Sequence, residues 1–178
     1  MAAFGTAESA QTSPEYIYKI APSTSVPDML DQEGDGASPV LPSSGLDTSS
    51  NFIHMSTAPQ IPGTLDRFFQ VDPAKCNAVF LLRVKSRPFE KQDGVLKWES
   101  PDASVCGPRP GEGLFPHLYL DGMNVAAAGD GVPPMQGKQS RRLWLRKDEV
   151  ESVQKVEVNA GNEGGWSAAL KPLHDWLV

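Results

Sequence analysis

Apolar positions along this chain come in short runs, and most of the runs suit strands rather than repeating at helical spacing. Tyr16-Ile17-Tyr18-Lys19-Ile20 is aromatic and β-branched and stops at Pro22, which predicts a first strand. Phe52-Ile53-His54-Met55 predicts a short second strand that ends in Ser56-Thr57. Ala78 to Val84 is the most apolar run and reads as a central strand, buried on both faces. Val95 to Glu99 predicts another strand. Phe115 to Tyr119 starts with Phe-Pro, which predicts an extended or edge segment. Val150 to Val158 fits a last strand. Helical signals occur in three places. Val26 to Gln32 has Ser25 as a cap and Pro27 in its first turn. In Thr64 to Phe69, Leu65, Phe68 and Phe69 share a face. Trp166 to Trp176 reads as a C-terminal helix that Pro172 would break. Strands dominate and no βαβ rhythm is present. The prediction is an α+β fold with a mostly antiparallel sheet, forming one domain over 16–178 behind a disordered start at 1–15.

Composition refines this picture. Gly 16 and Pro 16 in 178 residues are an excess, and they concentrate in Ala21 to Gly45, Pro59 to Gly63, Ser100 to Gly113 and Leu120 to Ser140. That is the layout of a small core with long loops. Apolar residues make up 39% of the chain, enough to exclude disorder throughout. A net charge of −6 argues against nucleic-acid binding, which needs a basic face to replace counterions. Lys138, Arg141, Arg142, Arg146 and Lys147 cluster, but Asp148, Glu149 and Glu151 follow at once. The group reads as a solvated, charge-balanced turn, with an anion-binding patch as the other reading. No apolar run is long enough to span a membrane, and Met1 to Pro14 has no basic start or apolar stretch, so a cytoplasmic protein without a membrane partner is expected. Cys76 and Cys106 have no CxxC partner, which predicts reduced thiols and no thiolate metal site. Nothing in the sequence indicates an oligomeric state.

The chain has three histidines. His54 and His117 each lie among apolar residues with hydroxyls close by, in Asn51-Phe52-Ile53-His54-Met55-Ser56-Thr57 and Gly113-Leu114-Phe115-Pro116-His117-Leu118-Tyr119. Imidazole titrates near neutrality and serves as acid, base or ligand. Strand alternation puts His54 on the same face as Phe52 and Ser56. Glu99 ends a strand, where a carboxylate can orient a histidine, act as a base or simply pair with Lys97. Trp98 points the opposite way from Glu99, as a core residue or as a stacking wall. Each histidine also has an ordinary alternative, a core imidazole bonded to backbone. GxGxxG, P-loop, GxSxG and HExxH motifs are absent. His54, His117 and Glu99 are too dispersed in sequence to predict a metal site, so no metal is expected.

Four ordered motifs carry a family resemblance: Tyr16-Ile17-Tyr18-Lys19-Ile20, Phe52-Ile53-His54-Met55-Ser56-Thr57, Leu96-Lys97-Trp98-Glu99 and Leu114-Phe115-Pro116-His117-Leu118-Tyr119. Together with Val79 to Val84 and Asp148-Glu149-Val150, they resemble the Domain of Unknown Function 952 family over about residues 16 to 158. Asn51 and Met55 stand where Gly and Leu are usual. Asp102 to Glu112 is longer than usual, and Leu120 to Lys147 resembles an insertion. The resemblance implies an ADP-ribosyltransferase-like fold, with two small sheets around a cleft. By that analogy Tyr18 or Lys19, then His54 to Thr57, then Glu99 would line an NAD site.

Three functions follow as expectations. The first is a small-molecule enzyme that works without a bound cofactor. His54, His117 and Glu99 would be its acid/base groups, and Tyr18, Lys19, Ser56, Thr57, Trp98 and Tyr119 would bind substrate. Isomerisation, cyclisation, dehydration and hydrolysis all suit such groups. The second is binding or transfer of NAD or another ADP-ribose-type nucleotide. The third is a non-catalytic interaction module that presents Trp144.

Overall fold

The apolar run Asn77–Lys85 forms the centre of a three-stranded antiparallel sheet, as its hydrophobicity requires. On one side it pairs with β1 (Tyr16–Pro22), and on the other with the last strand (Val150–Val158). The computed structural model describes residues 13–25, 44–72, 77–90, 94–103, 111, 113–121, 141–159 and 163–178. The expected helix at Val26–Gln32, both cysteines, Lys138, residues 1–12 and most of the 120–147 segment lie outside the described residues. The remaining elements, in chain order, are α1 (Gly45–Ser50), β2 (Ile53–His54), α2 (Ile61–Phe68), β3 (Asn77–Lys85), β4 (Gly94–Glu99), β5 (Phe115–Asp121), β6 (Arg141–Arg142), β7 (Val150–Val158) and α3 (Gly165–Leu170). The second sheet has the order β2-β5-β4, with β6 pairing β5 as well. Every described strand pair is antiparallel. The architecture is therefore α+β, with two small antiparallel sheets and few helices. No helix among the described residues is long and apolar enough to cross a membrane.

Alternation along each strand divides the interior into two main cores. On β1, Tyr18 faces Leu81, Val79 and Val156, a layer covered by Ile61 and Leu65 of α2 and by Trp166 and Leu170 of α3. Ile17 faces the opposite way and meets Ile53, Val84, Leu118, Leu120 and Leu145. Burying each of these aliphatic side chains contributes roughly 1.5–3 kcal/mol. The two sheets meet along one seam. Tyr18 N–H donates to the Ser56 carbonyl at 2.8 Å, and Ser56 N–H to the Tyr18 carbonyl at 2.9 Å. Met55 N–H donates to the Pro116 carbonyl at 3.0 Å. The chain from β2 through Ser56 thus fastens β5 of one sheet to β1 of the other.

Three expectations change here, and one break falls as expected. β5 is an inner strand, not an edge: Pro116 sits second in it, where only one ladder donor is lost, and its carbonyl still accepts. α2 begins three residues earlier than expected, at Ile61 with Pro62 in the first turn. Its buried stripe is therefore Ile61 and Leu65, and Phe68 is left 42% exposed. α3 stops at Leu170, just before Pro172, where the break was expected, and a 3₁₀ turn over Lys171–Leu173 follows. The basic cluster is not uniformly solvated: Arg142 is buried, and its guanidinium grips both carboxylate oxygens of Glu149. Trp144 is half-buried and accepts a bond from Arg142 at its carbonyl.

Candidate active site

The site begins with a helix start. Ser44 precedes α1 and Asp47 lies three residues on, forming a capping box. Ser44 Oγ accepts from Asp47 N–H at 3.0 Å, and Asp47 Oδ2 accepts from Ser44 N–H at 3.2 Å. The helix ends at Asn51, whose φ of 58° lies in the left-handed region. Asparagine is among the side chains that best tolerate this backbone. This tight reversal lays β2 back along its own helix. His54 N–H and His54 Nδ1 then both reach Asp47 Oδ1, each at 2.9 Å. From the other sheet, Lys19 Nζ reaches Asp47 Oδ2 at 2.7 Å.

Asp47 is 1% exposed and takes all four of these donors. Burial alone would raise its carboxyl pKa, but the bonds from His54 and the charge of Lys19 overcome that and hold it well below the carboxylate range. Burial pulls the Lys19 ammonium below its ordinary value, and Asp47 opposes the shift.

A second carboxylate–imidazole pair stands beside the first. His54 and His117 are direct cross-strand partners, and their rings lie 5.2 Å apart, edge to face. His117 Nδ1 meets Glu99 Oε2 at 2.9 Å, and Tyr119 Oη donates to the same oxygen at 2.5 Å. Glu99 reaches them because Lys97 and Glu99 share a face of β4, next to the β5 face that carries Phe115, His117 and Tyr119. Burial opposes ionisation of Glu99, but the Tyr119 and His117 bonds prevail and lower its pKa. Burial, with help from nearby His54, lowers the His117 pKa despite Glu99. Phe52 closes the group: its ring stacks on His117 at 4.2 Å, with His54 at 4.5 Å and Tyr119 at 5.0 Å. Lys97 Nζ lies 4.4 Å from the Tyr119 ring centre.

Ionised carboxylates only accept hydrogen bonds, so each histidine bonds through a protonated Nδ1. In the neutral imidazole the lone pair is then on Nε2. Both rings line one cavity of about 890 Å³ between the sheets. Its wall is largely apolar, from Ile20, Leu46, Phe52, Met55, Phe68, Phe69 and Phe115. Among the described residues no group of three His, Cys, Asp or Glu side chains is placed to hold a metal ion.

Six of the nine residues singled out from the sequence meet here: Lys19, His54, Ser56, Glu99, His117 and Tyr119 all line the cavity. The other three do not, each because its strand neighbour does. Tyr18 points into the opposite core, where its hydroxyl bonds the carbonyls of Trp176 and Val178. Trp98 packs beneath the sheet with Leu96 against Leu118 and Leu120. Thr57 turns away at the start of a 3₁₀ turn, and its N–H donates to Gln60 Oε1 at 3.0 Å. Two site residues were missed. Asp47 had a readable signal, the Ser-x-x-Asp capping box before β2. Phe52 was placed on the His54 face by alternation but not taken as part of the site.

No curated protein matches the chain. Among solved structures it is similar to protein CC0527 from Caulobacter crescentus at 23% identity, covering 82% of this chain and 89% of that one with a TM-score of 0.48. A double mutant of the same protein matches with the same figures. Residues 26–128 match the model of the family described as Protein of unknown function (DUF952), and the chain belongs to that family.

Proposed function

We propose that the cavity performs general acid/base chemistry on a small molecule without a bound cofactor. One observation carries this reading: two histidines, each anchored by a carboxylate through Nδ1, share one apolar cavity with their rings 5.2 Å apart. Such a pair can take a proton from one atom of a substrate and give one to another, the common requirement of isomerisation, cyclisation, dehydration and hydrolysis. The lowered pKa of His117 favours its neutral form, which assigns it the base. Glu99 fixes its tautomer and stabilises the imidazolium that forms. His54, whose side chain is 27% exposed against 8% for His117, is the second proton-transfer group, with Asp47 fixing its ring through Nδ1. Phe52 keeps both rings in place. The test is metabolite profiling with the wild-type protein, followed by His54→Gln and His117→Gln on whatever is consumed. Each variant should lose roughly 10²–10⁴-fold in turnover. Unaltered turnover in both, or lost stability with unaltered turnover, would return the histidines to a structural role.

A second reading is binding or transfer of NAD or an ADP-ribose-type nucleotide, on the ADP-ribosyltransferase-like fold that the family resemblance implies. It is favoured by Lys19 on the first strand, Ser56 after the second and the late Glu99 lining one cavity. Calorimetric titration with NAD and ADP-ribose tests it, and no heat at millimolar ligand would sink it.

A further inference from the structure

His54 and His117 each bond a carboxylate, but the two carboxylates are held differently. Asp47 is 1% exposed and takes three donors besides the His54 ring: Lys19 Nζ, Ser44 N–H and His54 N–H. Those three hold it whatever the ring does. Glu99 is the last residue of β4, and its side chain is 37% exposed. Among the described residues its carboxylate takes two bonds, both on Oε2. One comes from His117 Nδ1 at 2.9 Å, the imidazole that Glu99 orients. The other comes from Tyr119 Oη at 2.5 Å, and it alone of the two is independent of His117. Lys97 attracts Glu99 through space, but its ammonium lies 4.4 Å from the Tyr119 ring centre and makes no bond to Glu99 among the described residues. Tyr119 suits the task. It stands two residues from His117 on the same face of β5, which pairs with β4 on one side and with β2 and β6 on the other.

We infer that Tyr119 is a positioning residue: its hydroxyl pins Glu99 on His117 Nδ1, and through Glu99 it fixes the tautomer that leaves the His117 lone pair on Nε2. Without that hydroxyl the long, partly exposed Glu99 side chain turns to water. His117 then exchanges between its two neutral tautomers, and the one protonated on Nε2 has no lone pair there to accept a proton. A hydrogen bond to a charged group shifts an equilibrium on the order of 10–100-fold, so the change is large enough to observe. The inference rests on the acid/base reading for the use of this tautomer, and adds to it the group that maintains it. His54 needs no such helper, because Asp47 is already fixed by the helix cap and by Lys19.

The test is NMR of protein labelled with nitrogen-15 in its histidine rings, at roughly pH 8.5, where imidazole is neutral. Correlation of ring nitrogens with ring protons tells a protonated nitrogen from one that carries a lone pair. In the wild type both His54 and His117 should be protonated on Nδ1. In Tyr119→Phe, which keeps the ring and removes the hydroxyl, the two nitrogen signals of His117 should move toward each other. The ratio of Nδ1–H to Nε2–H should fall roughly tenfold or more. His54 should keep its Nδ1–H signature, which also shows that the site has folded. Glu99→Ala should release His117 in the same way, and adding Tyr119→Phe to it should then change nothing further, because the hydroxyl acts through Glu99. Lys97→Met should leave the His117 tautomer as it is. An unaltered His117 tautomer in folded Tyr119→Phe overturns the inference. So does a Tyr119→Phe effect that persists in the Glu99→Ala background, or a Lys97→Met variant that reproduces it. If Tyr119→Phe does not fold, Glu99→Ala still decides: a His117 that stays protonated on Nδ1 there overturns the inference. Failure of the acid/base reading is separate: it appears as unaltered turnover in the histidine variants, which these spectra do not measure.

Discussion

Replacing Asp47 with alanine gives the most direct test of how this site is held together. The substitution removes the acceptor of four donors at once: Lys19 Nζ, Ser44 N–H, His54 N–H and His54 Nδ1. Lys19 is the costly one. Its ammonium is buried between the sheets with Asp47 as its anion, and breaking a buried pair from one side costs about 3–5 kcal/mol. Loss of the acceptor for Ser44 N–H, one half of the capping box, falls within the same change and contributes on the order of 1 kcal/mol. For a chain of this size each kcal/mol lowers Tm by about 2–4 °C, so a fall of roughly 10 °C or more is expected. Asp47→Asn keeps the cap oxygen but not the charge, and should lie between alanine and wild type. The decisive variant is the double substitution Lys19→Met with Asp47→Ala. It deletes the stranded charge, so it should recover at least about 1–2 kcal/mol relative to Asp47→Ala alone. Urea denaturation followed by tryptophan fluorescence measures all of them on one scale. A loss below about 1 kcal/mol for Asp47→Ala, or no recovery in the double variant, would refute the view that Lys19 and Asp47 form one buried unit.

Further outcomes follow from the same geometry. Acid should destabilise the protein in two stages. His117 has a folded pKa below its ordinary 6.5, so stability rises with pH from that folded value up to 6.5 and is lost on acidification through the window. Asp47 has a folded pKa below its ordinary 3.8, so its contribution is complete above 3.8 and falls away beneath it. Stability that stays flat or increases on acidification from neutral pH, measured by urea titration, would contradict both assignments. Tyr18→Phe removes a hydroxyl that bonds the Trp176 and Val178 carbonyls and the Val178 N–H. It should cost about 1–2 kcal/mol in denaturation while leaving the ring proton NMR signals of His54 and His117 unchanged. Gly94→Ala places a Cβ 2.8 Å from the Tyr119 carbonyl and 2.7 Å from Leu120 Cδ2. It should cost about 1–3 kcal/mol and move the His117 signal, because β4 carries Glu99; an unshifted signal at wild-type stability would refute it.

Strands were legible here because period-two alternation is a local property: β3 and β7 lie within one residue of their expected limits. Which face of a strand meets the cleft was not local. Adjacent residues such as Tyr18 and Lys19, or Trp98 and Glu99, both carry plausible chemistry, and only the arrangement of sheets decides between them. In each pair the aromatic ring went to the core, where it buries the larger apolar area. The convergence of His54, His117 and Glu99 rests on register, which fixes His54 opposite His117 and puts Glu99 diagonal to it. Asp47 was hidden differently. A capping aspartate has a sufficient local reason to exist, and nothing in the sequence showed that its carboxylate also meets a lysine 28 residues away.

The seam at Ser56 and the buried Asp47 together constrain how such a site can change over time. The groups that would perform chemistry are also those that fasten the halves of the molecule, since Lys19, Asp47 and His54 come from a strand, a helix and a second strand. A substitution among them alters reactivity and foldability together, and selection must satisfy both. Phe68 and Leu46 carry no such double duty, because they line the cavity without joining the charged cluster. New specificities in this lineage should therefore arise by resurfacing the apolar wall around a conserved polar floor, and sequences that diverge at Asp47 should diverge at Lys19 as well.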